Sequence, residues 1–260
     1  MTWNVDPVLL NLGFLQVHWY GLLFAGSFLV GYKLMQWIYA REGRAVQELD
    51  NLLLYIMIGT VVGARLAHCL FYDPQYFLKH PLEILMVWKG GLASHGGAVG
   101  VLLAAYLYCR QPERPGFLWL VDRMAIPAVL AGGMIRVGNF FNSEIYGKPT
   151  DGPLGVVFER VDRLPRHPVQ LYEAAMYFAI FALLLWVYVR RRPAEGRMLG
   201  LYLMLVFAAR FALEFLKVPQ AAYEGDPLFS VGHLLSVPFV FAGLWFATRS
   251  VPARAVAHPT

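Results

Sequence analysis

The chain is poor in charge. Only 15% of its 260 residues are Asp, Glu, Lys or Arg, whereas a soluble domain carries roughly 25%. It is 58% hydrophobic, with a mean hydropathy of +0.50. That balance excludes an ordinary soluble domain and indicates an all-α polytopic membrane protein. Cysteine is scarce too: Cys69 and Cys109 are the only two, which excludes a disulfide framework or a cysteine metal site. HExxH, GxSxG and P-loop motifs are missing, and with them the usual signatures of zinc hydrolases, serine hydrolases and nucleotide hydrolases. No metal and no cofactor is expected. The stretch MTWNVDPVLLNLG lacks the basic start and small-residue cleavage site of a signal peptide, so the first hydrophobic segment is expected in the mature protein. The net charge of +5 gathers in short loops such as Arg190–Arg197. Such residues orient membrane spans, and no nucleic-acid partner is expected.

A membrane helix needs about 20 mostly apolar residues. Seven segments qualify, near Val17–Tyr39, Asn51–Tyr72, Gly91–Cys109, Trp119–Val137, Leu171–Val189, Met198–Leu216 and Val231–Ala247. Residues 1–260 read as one transmembrane domain. The connection 139–170 is too long for a turn and is expected to form a small head on the outer face, with a β-prone piece at Gly155–Phe158. Pro168 is placed to begin the fifth span. The second long connection, Lys217–Ser230, holds Glu224 and Asp226.

Lys and Arg give the orientation. With the N-terminus outside, the inner segments hold Arg41, Arg44, Arg110, Arg114, Arg190, Arg191, Arg192, Arg197, Arg249 and Arg254. The outer ones hold Lys79, Lys89, Lys148, Arg160, Arg163, Arg166 and Lys217, mostly in one long loop where charge counts for less. N-out, C-in is the expected topology, and it puts Cys69 and Cys109 at opposite membrane faces.

Ionisable residues inside a membrane are expensive and need a reason. Placed by depth, Tyr20, Arg65, His68, Ser94, His95, Arg136, Arg210, Glu214 and His233 fall in the outer half of their spans; Lys33, in the inner half, is an exception. Arg123 lies at an inner end, where it can snorkel. Each has a mild reading alone: Tyr20 as an interface aromatic, His68, His95 and His233 as packing histidines, Arg210 and Glu214 as a neutralising pair four residues apart. Together, on five or six spans, they point to an outer-leaflet polar cavity. Arginines there suit a phosphate through forked hydrogen bonding, and a phosphate at that depth belongs to a phospholipid head group. A polar cavity among broken helices also suits a transporter, but the groups gather at one face rather than the midplane. His68 and Asp73 have the spacing of a glycerolipid acyltransferase motif, although Tyr72 and Pro74 mark a helix end there.

The densest stretch is Met134–Gly147, reading MIRVGNFFNSEIYG. Its polar positions Arg136, Gly138, Asn139, Asn142, Glu144 and Gly147 resemble the signature of the bacterial phosphatidylglycerol–prolipoprotein diacylglyceryl transferases. Ile135 departs from it, since many members have glycine before the arginine. Further matching pieces follow in the family's order: His18-Trp19-Tyr20-Gly21, Gly90–Gly97, His167-Pro168 with Gln170, Tyr172 and Glu173, and Arg210 with Glu214. The resemblance spans nearly the whole chain.

It implies an enzyme of the bacterial inner membrane whose active site faces the periplasm. The enzyme moves the diacylglyceryl group of phosphatidylglycerol onto the lipobox cysteine of a prolipoprotein that still carries its signal peptide. Phosphatidylglycerol, that signal peptide and membrane lipids are the expected partners. The nucleophile is then the substrate's thiol, reactive as the thiolate. His95 is the candidate base, Glu144 or Glu214 the alternative. Arg136 and Arg210 are expected to hold the phosphate, and Glu144 and Glu214 to orient them. Tyr20, Asn139, Asn142, Gly147 and Arg65 complete the expected substrate contacts. Gly147 is expected to allow a close backbone approach, and Asn142 and Gly138 also fit a turn after the span.

Overall fold

The computed structural model describes residues 1–13, 16–87, 90–191, 193–218 and 230–249. Lys89, Arg192, Glu224, Asp226 and Arg254 lie outside the described residues. Eight α-helices dominate them: α1 (Trp19–Arg41), α2 (Glu48–Phe71), α3 (Pro74–Lys79), α4 (Ser94–Cys109), α5 (Phe117–Phe141), α6 (Val169–Arg191), α7 (Arg197–Glu214) and α8 (Val231–Thr248). Each of the seven apolar segments became a helix, within a few residues of the expected bounds. Five of them, α1, α2, α5, α6 and α8, are long and apolar enough to cross a membrane. The short α3 is separate from α2. Asp73 stands between them and Pro74 opens α3, so the helix end read at Asp73 is real, as the restriction before proline requires.

Five short strands complete the fold: β1 (Thr2–Trp3), β2 (Val8–Asn11), β3 (Gln16–His18), β4 (Val156–Phe158) and β5 (Pro165–Arg166). β4 is the β-prone piece of the 139–170 connection. It pairs parallel with β1 and antiparallel with β5, so the connection carries a small sheet that borrows a strand from before α1. Its core is Phe140, Val156 and Phe158, packed by Trp3, Tyr146 and Val161. Trp3 lies 4.3 Å from the Phe140 ring and Trp19 stacks on Phe141 at 4.8 Å. β2 and β3 form a separate antiparallel pair.

Contacts divide the chain into two compact units, Met1–Leu34 with Asp122–Thr260, and Met35–Val121. In the first, α7 and α8 come close enough that a side-chain carbon on Gly200 or Gly243 would strike the other helix's backbone, at 2.3 and 2.4 Å. Asp122, fully buried, accepts the Leu199 N–H at 2.8 Å and pairs with Arg123 at 2.5 Å. Arg123 therefore does not snorkel: it is 6% exposed, because its charge is met inside. In the second unit α2 and α4 run antiparallel. Gly59 and Gly63 face Gly100 and Gly96 in that order, the close approach that small residues permit in membrane helices. This register leaves Cys69 and Cys109 at opposite ends of the pair, and both are free.

Candidate active site

The first unit brings together Tyr20, Arg136, Asn139, Asn142, Glu144, Gly147, Arg210 and Glu214. Arg136 lies in the last turns of α5, half-buried. Its Nε pairs with Glu173 Oε2 at 2.8 Å, and its Nη1 donates to Asn139 Oδ1 at 3.1 Å. Asn139 Nδ2 donates in turn to Glu144 Oε1 at 2.7 Å, and Asn142 Nδ2 reaches the same oxygen at 3.3 Å. Glu144 is placed by an unusual backbone. Ser143 and Ile145 on either side of it have φ of +54° and +56°, a region uncommon for non-glycine residues and costly for a β-branched one, about 1–3 kcal/mol. Gln170 Nε2, from α6, donates to the Glu144 carbonyl at 2.6 Å and ties down the strained turn.

Glu173 is the hub. It is fully buried in the second turn of α6, and its other oxygen pairs with Lys217 Nζ at 2.8 Å. Lys217 also pairs with Glu214 Oε2 at 3.1 Å, and Glu214 Oε1 accepts from Ser230 Oγ at 3.0 Å. Ser230 caps α8 reciprocally with His233. A side chain at Gly232 would meet the Glu214 carboxylate at 2.1 Å, so glycine is required beside it. Charges from α5, α6, α7 and the start of α8 thus form one chain of contacts.

Arg210 stands apart. It is half-buried, close enough to Glu214 and Tyr177 for electrostatic interaction, yet among the described residues it has no ion pair or hydrogen bond. Beside the paired Arg136 and Lys217, it is a cation of the cluster left open to an anion. Tyr20 packs on Gly138, where a side-chain carbon would lie 2.9 Å from its ring, and it feels the charges of Glu144 and Arg136. Gly138 is therefore a helical residue that admits Tyr20, not part of a turn. Gly147 does allow a close approach: a side-chain carbon there would meet Val169, His167 and the Leu216 carbonyl within 2.7 Å. Its backbone bridges to Lys217, which sets that lysine in place.

Glu173, named above only within a matching motif, and Lys217, named only as a loop charge, were not among the expected site residues. Glu144 and Glu214 were expected to orient the arginines, but Glu173 pairs with Arg136, and Glu214 pairs with Lys217 rather than Arg210. The signal for Glu173 was available: a carboxylate in an apolar helix is a functional candidate by default.

The second unit carries His95 and Arg65. His95 is the second residue of α4 and is exposed. Arg65 was expected among the substrate contacts, and the geometry gives it another task. It is 4% exposed and donates to the carbonyls of Glu83, Ile84, Gly90 and Gly91 at 2.5 to 3.2 Å. Its ring partner is Phe77 at 5.0 Å. Four of its five N–H groups are spent on the main chain, so Arg65 is a loop clasp.

No group of three or more His, Cys, Asp or Glu side chains among the described residues is arranged to hold a metal ion. Asp162, at the surface of the small sheet, pairs with Arg166 at 2.5 Å. That hydrogen bond holds its carboxyl below the usual range.

Fold and site define a class: a multi-pass membrane protein with a cluster of arginines and carboxylates gathered where its helices end. The comparisons give the family. The sequence pattern of prolipoprotein diacylglyceryl transferase matches residues 7–249. A phosphatidylglycerol–prolipoprotein diacylglyceryl transferase of Tolumonas auensis is 61% identical over 98% of this chain and 99% of its own. Those of Chloroherpeton thalassium and Porphyromonas gingivalis are 47% and 42% identical, each over 96% of this chain and 94% and 95% of theirs. The chain belongs to the prolipoprotein diacylglyceryl transferase family.

Proposed function

We propose that this chain transfers the diacylglyceryl group of phosphatidylglycerol to the cysteine thiol of a prolipoprotein lipobox, at the periplasmic face of the bacterial inner membrane. Family membership over nearly the full length of both chains supports the reaction. The observation that carries the site assignment is the contrast between Arg136, tethered by Glu173 and Asn139, and Arg210, which has no ion pair or hydrogen bond among the described residues. A fixed guanidinium beside an open one suits an anionic head group.

The reaction displaces a phosphate at a glyceryl carbon. A carbon–sulfur bond forms and the carbon–oxygen bond to phosphate breaks, its electron pair staying on oxygen. The thiol proton goes to His95, whose exposed ring has no side-chain hydrogen-bond partner among the described residues; Glu144 is the alternative acceptor. The phosphodiester carries one negative charge and the leaving glycerol phosphate two, so charge develops where Arg136 and Arg210 donate. Groups placed to meet developing charge are each worth about 10²–10³ in rate. Asn139, Asn142 and Tyr20 contact the head-group glycerol, and Gly147 keeps Lys217 and the start of α6 in place around it.

Strand pairing supports seven spans. Hydrogen-bonded strands share one side of a membrane, so the chain crosses an even number of times between β1 and β4; α1, α2, α4 and α5 make four. The Gly147–Lys217 bridge likewise requires α6 and α7 to cross as a pair. With α8 the total is odd and the ends lie on opposite sides. The lysine and arginine distribution then favours N-out, C-in, with residues 139–170 as a periplasmic head.

The test is transfer from phosphatidylglycerol to a lipobox peptide, read as thioether product by mass spectrometry. Arg210→Ala and Arg136→Ala should each abolish most product. Full activity in both, or phosphatidylglycerol left chemically unchanged by the native protein, overturns the reading.

A further inference from the structure

The clasp at Arg65 serves more than stability. We infer that Arg65 is a positioning residue that sets the location of His95 by gripping the loop ahead of α4; this rests on His95 acting as the base.

The segment Phe71–Leu85 exposes large apolar side chains: Phe71, Leu78, Leu82 and Leu85 are 72 to 81% exposed. They continue the apolar exposed surface of α2, where Leu66 and Leu70 are 44 and 60% exposed. Within the segment, Phe77 is the buried anchor, packed against His68 of α2, and the stretch that follows has no such anchor among the described residues. Arg65 supplies the hold, since one guanidinium bonds its end at Glu83 and Ile84 and also the turn at Gly90 and Gly91. That turn needs both glycines, with φ of +83° and +72°. A side-chain carbon on Gly91 would strike His68 at 2.6 Å and Arg65 at 2.9 Å.

His95 follows Gly91 by four residues. The start of α4 has two more attachments to α2: the Ala93 N–H donates to the Ala64 carbonyl at 3.0 Å, and Gly96 packs on Gly63. The first holds the last residue before α4 and the second holds the helix itself. Arg65 holds the chain further upstream, where it turns toward α4 at Gly90 and Gly91. The planar fork matters, because its N–H groups diverge toward carbonyls from two separate stretches. Lysine concentrates three donors on one nitrogen and cannot span them. Among the described residues no carboxylate pairs with this charge; four carbonyl dipoles and the Phe77 ring meet it. That arrangement fits a residue whose job is to gather backbone, and it explains why so buried a guanidinium is worth its cost.

The experiment uses the full chain in phosphatidylglycerol-containing proteoliposomes, comparing the native protein with Arg65→Lys, Arg65→Ala, His95→Gln and the Arg65→Ala/His95→Gln pair. Two readouts are taken: kcat and KM for transfer, and the carbethoxylation rate of His95 by mass spectrometry. A small displacement of a reacting group can cost about 10²-fold. Both Arg65 variants should lose kcat by that order, with KM for phosphatidylglycerol within about twofold. The double variant should be no slower than His95→Gln alone. His95 carbethoxylation should change severalfold in Arg65→Lys, which keeps the charge and guards against simple unfolding. A raised KM at unchanged kcat makes Arg65 a substrate contact and overturns the proposal, as do additive losses in the double variant. Full activity in His95→Gln would overturn the base assignment instead, and the carbethoxylation comparison would still judge the clasp.

Discussion

Replacing Glu173 with glutamine keeps the shape of a fully buried side chain and removes its charge. Two cations, Arg136 and Lys217, then face one neutral amide, each having lost a contact of 2.8 Å. At an effective dielectric near 20, each such attraction is worth about 6 kcal/mol. Part of this is recovered, because the amide oxygen still accepts one hydrogen bond and the carboxylate's desolvation cost disappears. The usual net loss on breaking a buried pair is about 3–5 kcal/mol. Lys217 keeps Glu214, so the larger share falls on Arg136, whose remaining partners Asn139 and Tyr177 are neutral. Glu173→Gln should therefore lower the midpoint of thermal unfolding in detergent. It should also reduce transfer about 10²–10³-fold, as loss of the arginine itself would. Adding Lys217→Met removes the surplus cation, so the double variant should regain stability without regaining rate. Product formation from phosphatidylglycerol and a lipobox peptide, together with the unfolding midpoints, decides it. Native rate and stability in Glu173→Gln would refute the hub assignment. Equal stabilities of the single and double variants would refute the charge accounting.

Gly138→Ala puts a methyl 2.9 Å from the Tyr20 ring, and overpacking of this kind costs about 1–3 kcal/mol; unfolding midpoints should fall, and adding Tyr20→Phe should not restore them because it leaves the ring in place. Substituting Cys69 and Cys109 together should leave transfer intact, since the nucleophile belongs to the substrate; a folded but inactive double variant would demand an enzyme-bound thioether. The Asp162–Arg166 pair should weaken in acid. The folded carboxyl lies below its ordinary value, so its small stabilising share is complete above about pH 4 and is lost as pH falls through the depressed value. Hydrogen exchange in residues 156–166 should rise over that window in the native chain, and Asp162→Asn should remove the pH step.

Hydropathy made the helices legible, because about 20 apolar residues have few other fates. It said nothing of β1, whose two residues pair with a strand far along the chain. Arg136, Asn139 and Glu144 were legible because they crowd one stretch of sequence, and the structure joins them hand to hand. Glu173 was missed for the opposite reason. Its partners come from α5 and the end of α7, and no local spacing announces them. Arg65 looked like a ligand-binding charge because sequence shows charges and not carbonyls; its partners are main-chain oxygens that any residues supply. Gly138 was read from its neighbours as a turn, whereas a ring from α1 explains it.

The pairing of β1 with β4 has a consequence for how the protein is made. Thr2 and Val157 lie opposite one another, so roughly 150 residues must be synthesised after the first strand before its partner exists. At about 5–20 residues per second, the first strand waits on the order of ten seconds or more. During that interval the translocation machinery inserts the helices between them. With the four crossings proposed for α1, α2, α4 and α5, a helix inserted the wrong way or skipped would leave the two strands on opposite sides of the bilayer. The small sheet would then close only once insertion is complete.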